Sequence, residues 1–175
     1  MEIERKYLVR FLPDGLEDCQ RHELEQGYIG SSPTIRIRRE DNRYVLTIKE
    51  HRRPQVGDNV AAPIVNREEE FYLTVESYAH LRTKCDGNFI VKTRYRIPLN
   101  TEEGRGEPLV AELDLFHGAL EGFALVEVEF PTVEASCRFV PPEWFGTDVS
   151  QDKRYRNSHL RNVSPAEAAM LVAKD

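Results

Sequence analysis

The stretch Met1-Glu2-Ile3-Glu4-Arg5-Lys6-Tyr7-Leu8-Val9 decides the fold. In an extended strand, successive side chains point to opposite faces. Glu2, Glu4 and Lys6 then share one face, and Ile3, Tyr7 and Val9 share the other, with Arg5 among them. The same division recurs along the chain, and the sign of the charge changes from strand to strand.

Outward from this stretch, Thr34 to Arg39 puts Arg36 and Arg38 opposite Ile35 and Ile37. Asp41-Asn42 reads as a hairpin turn. Arg43 to Glu50 sets Val45, Thr47 and Lys49 against Tyr44, Leu46 and Ile48. Arg67 to Thr74 carries Glu68 and Glu70 on one face and Glu69, Phe71 and Leu73 on the other. Phe89 to Ile97 places Lys92, Arg94 and Arg96 together. Leu109 to Phe116 carries Glu112 and Asp114, and Ala124 to Phe130 carries Glu127 and Glu129. Glu23 to Ile29 is a further strand, ending at Gly30-Ser31-Ser32-Pro33.

Between these lie a helical turn at Leu16 to Gln20, a helix from Glu76 to Lys84 and a turn at Asp86-Gly87-Asn88. His51 to Asn66 and Asn100 to Pro108 read as loops. Pro141 to Gly146 reads as a tight aromatic connection, with Trp144 packing the tail. Ser164-Pro165-Ala166-Glu167 opens a final helix over 164–175, with Ser164 as N-cap and Glu167 closing a capping box. That helix either packs on the outer wall or plugs one mouth of the fold.

At 175 residues and 20.3 kDa the chain has the size of one domain, 1–175, with room for a core. A net charge of −6 argues against a nucleic-acid coat or an anionic membrane surface as partner. Three scattered cysteines make neither a disulfide framework nor a zinc site. Without a signal pattern or a spanning apolar run, a cytoplasmic protein is expected, as a monomer or homodimer. The five histidines show no ligand spacing and read as surface or packing residues.

An ordinary sheet with one wet face would mix Thr, Ser, Gln and Asn among its charges. Here the polar faces are almost wholly charged, with acids and bases largely on separate strands. The expectation is a mainly β (α+β) fold: an eight-stranded antiparallel closed barrel with a charged lumen and a few outer helices. Bases suit a polyphosphate, and carboxylates beside that anion call for a hard cation such as Mg²⁺ or Mn²⁺. The residue types thus point to metal-dependent chemistry on a small polyanion.

Glu2-Ile3-Glu4-Arg5-Lys6 resembles the ExExK signature of the CYTH superfamily, the triphosphate tunnel metalloenzymes. The resemblance continues through Thr34 to Arg38, Leu46 to Lys49, Lys92 to Tyr95, Glu112 to Phe116, Glu127 to Phe130 and Asp152 to Ser158. It implies a single CYTH domain whose activity is hydrolysis of triphosphates. Tripolyphosphate is the first expected substrate, with nucleoside or thiamine triphosphate in the same class. A class IV adenylate cyclase and a non-catalytic polyphosphate-binding module are the alternatives. By position, Glu2, Glu4, Glu127 and Glu129 look like the metal set and, with Lys6, the catalytic set. Lys6, Arg36, Arg38, Lys49, Lys92, Arg94 and Arg154 look like the phosphate-binding set. Glu68, Glu70, Glu112 and Asp114 would be further tunnel carboxylates. Glu69 and the long segment from His51 to Asn66 depart from the family pattern.

Overall fold

The computed structural model describes residues 2–52, 64–99 and 109–172. Nine strands are found among them: β1 (Glu2–Val9), β2 (Gln20–Ser31), β3 (Thr34–Glu40), β4 (Arg43–Arg52), β5 (Ile64–Tyr72), β6 (Asp86–Pro98), β7 (Val110–Phe116), β8 (Ala124–Glu129) and β9 (Phe145–Asp148). The helices are α1 (Val75–Arg82), α2 (Val133–Arg138), α3 (Asn157–Leu160) and α4 (Pro165–Val172). The strands form one sheet in the order β5-β4-β3-β2-β6-β7-β8-β1-β9.

This corrects the expected eight-stranded closed barrel. The sheet has nine strands, and one side of β1 is divided between two partners. β5 pairs with Glu2, Ile3 and Glu4, whereas β9 pairs with Tyr7 and Val9 across a register shift. The short strand Phe145–Asp148 has too few residues to show a period, and only its pairing with β1 makes it a strand. Gly146 permits that approach, because a Cβ there would lie 3.1 Å from the Leu8 carbonyl oxygen. The expected loop from His51 to Asn66 is also shorter, since β4 runs to Arg52 and β5 begins at Ile64. Its middle, like the loop from Asn100 to Pro108, lies outside the described residues. The Asp86-Gly87-Asn88 turn is instead the start of β6.

Alternation explains where the core sits. Ile3, Tyr7, Leu113, Val126 and Val128 are buried on the outer face of the sheet, with Trp144 and Phe145 packed over them. Trp144 meets Phe145 edge-on at 4.3 Å, so it packs the tail as expected. A second cluster was not foreseen. Phe116, Leu125 and Ile90 are buried with Tyr155, Leu160 and Ala168. By period two, Phe116 lies on the face of Glu112 and Asp114, Leu125 on that of Glu127, and Ile90 on that of Lys92. The inner face is therefore charged over part of its length and apolar at one end, where the tail stoppers it.

The tail is held there by β1. Lys6 N–H donates to Ser150 Oγ at 2.9 Å, and Val149 N–H donates to the Lys6 carbonyl at 2.8 Å. Arg161 donates to the carbonyls of Tyr28 and Asp86 and so ties the tail to β2 and β6. The capping box of α4 forms as expected: Ser164 N–H reaches Glu167 Oε2 at 2.8 Å, and Glu167 N–H reaches Ser164 Oγ at 3.3 Å. Ala168 is buried and Leu171 packs against the second cluster, whereas Met170 is exposed.

α4 thus backs the stopper from outside and contributes no side chain to the cavity described below. Deleting residues 164–175 is expected to lower stability by about 2 kcal/mol and the melting temperature by about 5 °C. Anion affinity in the folded protein should not change. Altered affinity with an unaltered melting curve would place the helix over the cavity instead.

Candidate functional site

The curled sheet surrounds a cavity of about 1180 Å³. Its walls follow from the period-two pattern. β1 contributes Glu4 and Lys6, β3 contributes Arg36 and Arg38, and β4 contributes Thr47 and Lys49. Glu68 and Glu70 enter from β5, and Lys92, Arg94 and Arg96 enter from β6. Glu112 comes from β7, and Glu127 and Glu129 come from β8. One end is stoppered by the tail. At the other, Tyr72 is 81% exposed.

Arg94 is the hub of the first ion-pair network. Its Nε and Nη2 donate to the two oxygens of Asp114, each at 2.7 Å. Nη2 also reaches Glu127 Oε2 at 2.9 Å, and Nη1 contacts Glu112. The other Glu127 oxygen accepts from Lys6 Nζ at 2.7 Å. Lys92 Nζ pairs with Asp114, and both side chains are only 1% exposed. Glu112 and Glu127 are direct cross-strand partners, an arrangement in which like charges repel. The Arg94 fork bridges them.

A second network occupies the facing wall. Glu68 accepts from Arg36 Nη2 at 3.3 Å and Lys49 Nζ at 3.1 Å. Glu70 accepts from Arg38 Nη2 at 3.4 Å and from Thr47 Oγ1 at 3.2 Å. The β5 carboxylates therefore hold the basic side chains of β3 and β4 in place.

Burial and neighbours act against each other on the titrating groups. Burial alone would raise the Glu127 carboxyl, but Lys6 and then Arg94 hold it well below the usual range. Burial opposes charge on Arg94, yet Asp114 and Glu112 hold it well above its ordinary value. Burial likewise opposes charge on Lys6, and Glu127 followed by Glu4 more than restores it. Lys92 goes the other way, pushed down to about 8 by burial against the pull of Asp114.

Most of the expected site residues converge on this cavity. Asp114 is the exception among the carboxylates, since it lies behind the lining and anchors Lys92 and Arg94. Arg154 does not converge: its side chain is 69% exposed and pairs with Asp152 at 2.6 Å. A 3-10 turn over Lys153–Tyr155 breaks the alternation and drives Tyr155 inward. Arg156, Asn157 and Ser158 then reach the cavity. Arg156 Nε is buried with no hydrogen-bond acceptor among the described residues. The Glu2 side chain lies outside those residues. Glu4 and Glu129 are direct cross-strand partners. Among the described residues, no group of three or more acidic, histidine or cysteine side chains is arranged to hold a metal.

Sequence reasoning also left Gln26, Tyr28, Glu40 and Arg43 unassigned and read His22 as a surface or packing residue, yet all five line the cavity. The signal for Gln26 and Tyr28 was period two along β2 from Leu24. It was obscured because only uncharged residues share that face there.

No family model matches the chain. The inorganic triphosphatase of Nitrosomonas europaea is 36% identical over 163 residues, covering 91% of this chain and 95% of that protein. The inorganic triphosphatase of Acetivibrio thermocellus is 30% identical, covering 91% and 92%. The crystal structure of the inorganic triphosphatase NE1496 matches with a TM-score of 0.65 at 32% identity, covering 94% and 97% of the two chains.

The depressed Glu127 carboxyl has a consequence for stability against pH. A carboxyl lowered by folding contributes stability that is fully present above its unfolded value, near 4.5, and lost as pH falls from there toward its native value. In urea denaturation from about pH 7 to 3, Glu127→Gln is expected to start less stable and to lose less on acidification than the unsubstituted chain. An equal acid slope in both proteins would contradict the assignment.

Proposed function

The chain belongs to the CYTH superfamily, the family of these inorganic triphosphatases, and we propose that it hydrolyses inorganic tripolyphosphate to pyrophosphate and phosphate. The observation that carries this reading is the cavity itself, in which two walls of Arg and Lys side chains face one another, each held by carboxylates. Such a volume matches a compact polyanion rather than a duplex or a membrane surface. Among the described residues, no helix is long and apolar enough to cross a membrane.

In this reading Arg36, Arg38 and Lys49 bind phosphate oxygens from one wall, and Lys6, Lys92 and Arg94 bind them from the other. Their carboxylate partners fix the donors before substrate arrives, so charge developing on the transferred phosphoryl group meets oriented donors. Arg156 takes the tail position expected of Arg154.

Glu4 and Glu129, opposed across β1 and β8, would hold a divalent ion together with Glu2. Paired carboxylate oxygens fit Mg²⁺ or Mn²⁺, which take one or two carboxylates and complete their shell with waters and phosphate oxygens. When bound, the ion supplies Lewis-acid stabilisation of phosphate charge and an activated water. Glu127, tied to Lys6 and Arg94, positions those bases.

Three experiments test the reading. Purified protein is assayed for phosphate and pyrophosphate release from tripolyphosphate, ATP and thiamine triphosphate, with Mg²⁺ and with Mn²⁺. Tripolyphosphate is expected to give the highest kcat/KM. Cyclic AMP and pyrophosphate from ATP, without phosphate, would reassign the chain as a cyclase. Glu4→Gln and Glu129→Gln should each cut turnover at least about 100-fold, because an amide is a poor ligand for a hard cation. Near-normal rates at saturating metal would remove these residues from the metal set. Arg156→Ala should raise KM about tenfold, whereas Arg154→Ala should leave it unchanged. The reverse result would restore Arg154.

A further inference from the structure

Two cations that line the cavity stand outside both ion-pair networks. The other lysines and arginines of the lining are each paired with a carboxylate. Among the described residues, Arg43 and Arg156 have no such partner. They occupy opposite ends. Arg156 follows Tyr155, which is buried in the stopper at the closed end. Arg43 opens β4 just after the Asp41-Asn42 turn and is exposed at the open end. Its cross-strand partner is Glu40, but that carboxylate is engaged by Arg38 at 3.5 Å and lies 3.9 Å from His22 Nδ1. Arg43 therefore keeps its charge uncompensated.

This distribution matches the charge of a linear polyphosphate. A terminal phosphate carries nearly two negative charges above neutral pH, and an internal phosphate carries one. An organic ester on the outer phosphate removes one of its charges and leaves a neutral oxygen there. The closed end has no room for a substituent, because Tyr155 and Leu160 fill it beside Phe116 and Leu125. An esterified triphosphate must then enter with its free end first, toward Arg156, and its esterified phosphate comes to rest toward the mouth. Inorganic and esterified triphosphates are thus alike at Arg156 and differ at Arg43. A base already neutralised by a carboxylate senses that difference less than a base without one.

We propose that Arg43 is a specificity-determining residue at the mouth of the cavity, which favours a triphosphate whose outer phosphate is free and fully charged over one whose outer phosphate carries an organic ester. The proposal rests on the polyphosphate reading above. It assigns a role to a side chain that sequence reasoning left without one.

The test reads binding rather than turnover. Tripolyphosphate and methyl triphosphate, an ester that carries no base, are titrated calorimetrically into the unsubstituted protein, Arg43→Gln, Arg43→Lys and Arg156→Ala. The buffer is free of divalent metal and held at about pH 8, where terminal phosphates are fully ionised. Melting curves check folding. Arg43→Gln should lose about tenfold in affinity for tripolyphosphate and no more than about twofold for methyl triphosphate. Arg43→Lys should keep most of the preference, because it keeps the charge. Arg156→Ala should weaken both ligands by the same factor.

Equal losses on both ligands in Arg43→Gln, an unchanged affinity for tripolyphosphate, or a preference lost as fully in Arg43→Lys as in Arg43→Gln would overturn the proposal. Undetectable binding of tripolyphosphate to the unsubstituted protein would remove the polyphosphate reading and the proposal with it. Selective binding with no hydrolysis once Mg²⁺ is added would instead sink the triphosphatase reading and leave Arg43 in its role.

Discussion

The structure depends on compensating charges that four neighbouring strands bring to one face. β1, β6, β7 and β8 contribute Lys6, Lys92, Arg94, Glu112, Asp114 and Glu127 at adjoining positions. Taken alone, Glu112 and Glu127 would repel across their shared register. Arg94 resolves this because a planar guanidinium presents several donors at once, which a lysine could not reproduce with one ammonium. Buried ion pairs of this kind add little net stability, yet losing one member leaves an uncompensated charge. The network therefore specifies the arrangement of the strands more than it strengthens it.

The same compensation prepares the cavity for an anion. Arg36, Arg38 and Lys49 are oriented by Glu68 and Glu70, and Lys6 is oriented by Glu127. In the proposed function, a polyphosphate entering the cavity would meet side chains whose conformational freedom is already restricted, which lowers the ordering cost of binding. The carboxylates also limit how many bases can respond to an arbitrary anion.

The tail gives the cavity its polarity along the axis. Tyr155 and Leu160 close one end by joining inner-face apolar residues, while α4 adds weight from outside. Arg156 follows directly from that insertion, since the turn that buries Tyr155 carries its neighbour to the cavity. The open end is left to His22, Glu40, Arg43 and Tyr72. Substrate selection and release would occur there.

Period two was enough to sort the candidate site residues of β1, β3 to β6 and β8 onto one face, because alternation is a property of the extended backbone and needs no partner. Residue chemistry on that face was likewise enough to point to a small polyphosphate. Capping of α4 was legible for the same reason, since Ser164 and Glu167 satisfy each other within four residues. Three features were not local. β9 exists only because β1 leaves an edge to pair with. Arg156 rather than Arg154 lines the cavity because burying Tyr155 fixes the turn between them. His22 acquires a fixed partner only when the hairpin carries Asp41 back beside it. Each depends on a contact between segments distant in the chain, and only the assembled sheet decides which of those contacts form.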